Sequence, residues 1–189
     1  MRHLQPPAGA PSKELWIKTR SSWVAVFHNL ERGGDLIAPV SLLCETIGCR
    51  GLAVTCHPNI ALRKENDGWS GTYGGLGFAL FSPDSPGPMR YQRHILLYND
   101  GGKWKFLSEG SPQNFEHTEP YTSLRVRDRF SIDMLRDYCA ALGIRAFESG
   151  FYGPNAMLIE HTKNGMPVAF PLDEVQRRLG IDRRKTLRF

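Results

Sequence analysis

The chain has no long apolar run. Stretches such as Gly77-Phe78-Ala79-Leu80-Phe81 all stop short of ten residues, and a membrane-spanning helix needs about twenty. Cysteine is scarce, with four in 189 residues, too few for the disulfide framework of a small secreted scaffold. Met1 to Pro7 lacks the apolar centre of a secretory signal, and neither end carries a lipidation pattern. These features predict a cytoplasmic protein with reduced thiols and no membrane partner. The 19 glycines and 13 prolines follow no period, which excludes collagen-like and linker sequences. No Gly-Lys-Ser/Thr follows the cluster Gly71-Thr72-Tyr73-Gly74-Gly75-Leu76-Gly77, and the cluster leads into a strand. A phosphate loop lies after a strand and opens a helix, so a strand entry or bulge is the better reading, and no nucleotide or other cofactor is expected.

What is present is an ordinary globular balance, 41% hydrophobic and 23% charged, which excludes a disordered chain. The net charge of +5 is unevenly placed. Arg177 to Phe189 holds six bases (Arg177, Arg178, Arg183, Arg184, Lys185, Arg188) against Asp182, and so accounts for the whole excess. The composition divides the chain into a disordered leader (1–12), a single domain (13–180) and a basic tail (181–189). Within the tail Arg183, Arg184, Lys185 and Arg188 are the candidate contacts to an acidic protein, an anionic small molecule or nucleic acid.

Local patterns predict an α+β fold. Trp23 to Phe27 is β-branched and aromatic, as is Gly51 to Cys56, and Gly77 to Phe81 adds a third strand. A helix is predicted from about Pro39 to Ile47, with Gly48 as its stop. Tyr91 to Tyr98 and Lys103 to Leu107 flank Asn99-Asp100-Gly101-Gly102, a hairpin pattern. Ser131 is suited to cap a helix carrying Ile132, Leu135, Cys139 and Leu142 on one stripe, ended by Gly143. Arg63 to Gly71 reads as a polar loop, Ala146 to Tyr152 with Asn155 to Glu160 as a second hairpin, and Pro171 to Leu179 as a terminal helix. The expected architecture is a mixed or mostly antiparallel sheet of six to eight strands with two main helices on one face. Cys44 to Leu52 and Cys139 to Phe147 both read Cys-x-x-aliphatic-Gly-x-Arg-small-apolar. A helix–strand–strand unit used twice would produce this echo, as would the small vocabulary of helix ends.

Five constellations bear on function. Cys44, Cys49, Cys56 and His57 are zinc-type ligands, but their spacing lacks a compact cysteine knuckle, so no metal is expected. Cys56, at a strand end beside Pro58, is a candidate nucleophile. His57 points to the opposite face of a regular strand, which leaves His94 and His161 as candidate bases. Arg125, Arg127 and Arg129 project to one side if their segment is extended. They form an anion site if Glu116, Glu119, Asp128 and Asp133 are engaged elsewhere. Trp69 and Tyr73, near a Gly-bounded loop, are candidate ligand contacts. The charge map favours a non-catalytic domain, compatible with a homodimer, that binds an acidic partner or anionic ligand. The alternative is a small thiol-dependent hydrolase or transferase centred on Cys56.

Overall fold

The computed structural model describes residues 12–29, 37–65 and 68–161. The elements run β1 (Ser12–Thr19), β2 (Val24–His28), α1 (Ile37–Ile47), β3 (Gly51–His57), β4 (Ile60–Glu65), β5 (Gly68–Thr72), β6 (Gly75–Phe81), β7 (Tyr91–Asp100), β8 (Lys103–Glu109), α2 (Ile132–Ala141) and β9 (Tyr152–His161). The class is α+β, but the strands form three antiparallel sheets rather than one: β2-β1-β9, β3-β6-β7-β8 and β4-β5. No described helix is long and apolar enough to cross a membrane. The predicted leader through Pro11, the predicted terminal helix and the basic tail lie outside the described residues.

The four-stranded sheet organises the core. Its inner strand β6 is buried along most of its length, as expected of an apolar run covered on both faces. Phe78 and Leu80 point to one face, with Ile95, Leu97, Phe130, Met134, Leu135, Tyr138 and Cys139. Ala79 and Phe81 point to the other, with Ala53 and Cys44. Strand alternation therefore places α2 and α1 on opposite faces, not on one. The shared sheet supplies apolar surface to both helices, and each helix buries its own stripe against it.

The β7–β8 hairpin forms as its sequence predicts. Gly101 and Gly102 have φ of +61° and +92°, the conformation of a two-residue turn that matches strand twist. The Asn99 Oδ1 accepts the Gly102 N–H at 2.8 Å. Both helix ends are also as expected. Ser131 Oγ accepts from Met134 N at 3.2 Å, and Gly48 and Gly143 take φ of +70° and +74°.

The echo between the two halves is this helix end and nothing more. Cys49 N–H donates to the Cys44 carbonyl at 3.2 Å, and Ile144 N–H to the Cys139 carbonyl at 2.9 Å, the six-residue closure that a left-handed glycine permits. After Gly48 the chain enters β3. After Gly143 it enters short turns, with a 3-10 turn at Ser149–Phe151, before β9. The predicted hairpin across Gly153-Pro154 does not form, because β9 pairs with β1 in the other sheet. The predicted polar loop from Arg63 is instead the β4–β5 ribbon, with Arg63 opposite Ser70.

Candidate functional site

One buried charge anchors the irregular segment between β8 and α2. Arg93 stands on β7 at an inward position, opposite Leu80, and is 1% exposed. Its Nε and Nη2 donate to the two Glu116 carboxylate oxygens, both at 2.8 Å. Its Nη1 donates to the Glu109 and Gly110 carbonyls at 2.9 and 3.1 Å, and Nη2 also to Ser108 Oγ at 2.8 Å. Glu116 further accepts from Gln113 N–H at 2.8 Å and from the Tyr121 hydroxyl at 2.9 Å. Tyr121 and Tyr138 hydroxyls lie 2.9 Å apart, and Tyr138 also accepts from His117 N–H. Burial opposes the Arg93 charge, but Glu116 outweighs it and holds the guanidinium pKa above its ordinary value. Burial pushes both phenols up as well. Every polar hydrogen of the guanidinium has a partner, so the pair is a fully satisfied structural clamp.

This clamp decides the fate of the arginine segment. Glu116 is taken by Arg93, and Asp133 by Arg136 at 3.2 Å. The segment is not an extended stripe, because Val126–Asp128 is a 3-10 turn. Arg129 turns back, its Nε donating to the Ser123 carbonyl at 2.9 Å and its guanidinium 6.0 Å from the Phe106 ring centre. Arg125 and Arg127 are exposed. Among the described residues no carboxylate approaches any of these three arginines within 4.0 Å, the nearby Glu119 and Asp128 included. Beside them Leu124 is 100% exposed. The turn is braced by Ser123 N–H on the Pro120 carbonyl and Asp128 N–H on the Arg125 carbonyl, both 2.9 Å.

The predicted thiol centre is not brought together. Cys56 lies on β3 with the α2-facing residues. His94 pairs with Ala79 on the opposite face and stacks on Tyr91 at 4.7 Å. The two are also offset by about three residues along the strands, roughly 10 Å. Burial pushes the Cys56 thiol up, against the lowering influence of Arg136. Burial likewise lowers the pKa of His94, and its Nδ1 has no hydrogen-bond partner, with Glu109 Oε2 3.6 Å away. His161 lies on β9 opposite Ser12, and its side chain lies outside the described residues. All four cysteines are free, and among the described residues no three His, Cys, Asp or Glu side chains are grouped to hold a metal.

The remaining predicted contacts divide. Tyr73 is exposed between β5 and β6. Trp69 has its backbone in β5, and its side chain lies outside the described residues. The glycine cluster is a strand entry: Gly74 N–H donates to Asn59 Oδ1 at 3.0 Å, and β6 starts at Gly75. Arg183, Arg184, Lys185 and Arg188 lie outside the described residues.

A concavity among the described residues falls elsewhere. A cleft of about 490 Å³ opens at one end of the four-stranded sheet, lined by Arg50, Ser82, Gln92, Gln113, Asn114, Phe115, Ala141 and Leu142. Arg50, Ala141 and Leu142 belong to the two echoed helix ends, and the other five residues to no sequence motif. They meet because the start of β3, the end of β6, β7, the segment after β8 and the end of α2 converge there. The sequence did contain a signal for Arg93, a charge at the same parity as Ile95 and Leu97 in an apolar strand. No protein-family model, curated protein or solved structure matches the chain.

Proposed function

We propose that this chain is a non-catalytic cytoplasmic binding domain that docks an acidic protein partner through Arg125 and Arg127, with the basic tail adding to the attraction. The observation that supports this reading is that the two guanidinium groups are exposed while Glu116 and Asp133 are engaged by Arg93 and Arg136. A braced turn presents them, so little ordering is needed on binding. Leu124 beside them adds an apolar contact to a cationic rim.

Poly-L-glutamate serves as a defined acidic probe. The double variant Arg125→Glu/Arg127→Glu loses two ion contacts and adds two repulsions. At about 0.5 kcal/mol each, that weakens binding more than about tenfold. Lys18→Glu/Lys103→Glu makes the same change in net charge at exposed strand positions. Equal losses from the two double variants would reduce the attraction to net charge and overturn the assignment.

A further inference from the structure

The cleft at the sheet end combines rigid walls with unengaged polar groups. Gln92 Nε2 donates to Gln113 Oε1 at 3.0 Å, and Gln113 Nε2 to the Ser111 carbonyl at 2.9 Å. Gln113 N–H is held by Glu116, which Arg93 clasps. Phe115 packs edge-on against Phe78. The Leu142 carbonyl accepts the Trp23 indole N–H at 2.9 Å. The walls are thus fixed from behind by the core, by the buried ion pair and by Trp23 from the connection between β1 and β2. Yet among the described residues the side chains of Arg50, Ser82 and Asn114 make no hydrogen bond or ion pair within the protein. A concavity of this size, with apolar Phe115 and Leu142 in its lining beside polar Arg50, Ser82 and Asn114, has room for a small molecule.

Its charge selects the ligand. The lining holds one cation, Arg50, and no acid. The C-terminal end of α2, at Ala141 and Leu142, contributes the negative end of a helix dipole. That end opposes negative charge, a dianion about twice as strongly as a monoanion, and a phosphate would find a single guanidinium to balance it. A monoanion needs no more than Arg50. We propose that the cleft binds a small monocarboxylate with an apolar body, its carboxylate on the Arg50 guanidinium and its hydrocarbon part against Phe115 and Leu142. Ser82 and Asn114 supply further hydrogen bonds. This site shares no residue with the Arg125–Arg127 turn, so the two readings stand or fall separately.

The test is a titration of the full chain with hexanoate and benzoate, followed by amide chemical shifts. Hexanol and inorganic phosphate are the comparison probes. Saturable shifts at Arg50, Asn114, Phe115 and Leu142 are expected for both carboxylates. Phosphate and hexanol should bind at least about tenfold more weakly, in line with the value of a charge-assisted hydrogen bond. Arg50→Gln should weaken hexanoate by a similar factor without lowering the melting temperature, since Arg50 is exposed. Asn114→Ala should weaken it less, and Arg125→Glu should leave it unchanged. Phosphate binding as tightly as hexanoate, an unaffected Arg50→Gln variant, or no saturable shift in the cleft would overturn the proposal.

Discussion

Glu116→Gln should be among the most damaging single substitutions in the molecule, although it changes almost no volume. The carboxylate is 0% exposed and faces a guanidinium that is 1% exposed. Removing its charge leaves a buried cation uncompensated, which costs about 3–5 kcal/mol. The new amide nitrogen also meets donors rather than acceptors, because each Glu116 oxygen receives one guanidinium N–H and a second donor, Gln113 N–H or the Tyr121 hydroxyl. For a chain of this length each kcal/mol shifts the melting temperature by about 2–4 °C, so a fall of roughly 6 to 20 °C is expected. Urea unfolding followed by tryptophan fluorescence gives the free energy. The double variant Arg93→Met/Glu116→Leu removes both charges and should cost less than the two single changes added together. It still leaves the Glu109 and Gly110 carbonyls and the Gln113 N–H without their partners, so recovery should be partial. A loss under about 1 kcal/mol for Glu116→Gln, or strict additivity in the double variant, would refute the argument.

Two further expectations follow from buried titratable groups. Burial holds the His94 pKa below its ordinary 6.5, against the raising influence of Glu109. The unfolded chain therefore takes up the proton first, and stability falls as pH drops below 6.5 until the folded value is passed. His94→Gln should flatten the slope of unfolding free energy between about pH 7.5 and about pH 5.5, and parallel slopes for the two proteins would contradict this. Thiol labelling of the folded protein should proceed first at exposed Cys49. Cys44 and Cys139 are buried, with pKa pushed up to about 11 and about 12, and should stay protected until unfolding. Cys56 reacting faster than Cys49 would favour the thiol-enzyme reading over the binding domain.

Local chemistry wrote the parts of the fold that the sequence shows. Gly101-Gly102 between two apolar runs, Ser131 before an amphipathic stripe, and Gly48 and Gly143 at helix ends each act within a few residues, and each appears where expected. The misses are long-range or lack a face. Ala61, Leu62, Arg63 and Lys64 are four successive exposed strand residues, and such a run leaves no alternation to read. Phe147 and Phe151 suggested a strand, but Phe147 is 40% exposed and Phe151 sits in a 3-10 turn. The real strand, β9, finds its partner at the other end of the described chain. The two-sided burial of β6 was visible in the unbroken run from Leu76 to Phe81, which a sheet with one covered face would not carry. For the site, the sequence named three arginines, of which Arg125 and Arg127 face outward and Arg129 turns back, but it set them on an extended segment. It could not show that Glu116 belongs to Arg93, because that contact spans 23 residues and two elements.

The account rests on cations that find no counterion within the described part of their own chain, and the salt dependence of binding to poly-L-glutamate tests this most directly. Affinity should fall several-fold between about 50 and 200 mM salt, as screening shortens the reach of exposed charges. The slope should be shallower in Arg125→Glu/Arg127→Glu and in a chain lacking residues 180–189. An affinity that is the same at low and high salt would contradict the account.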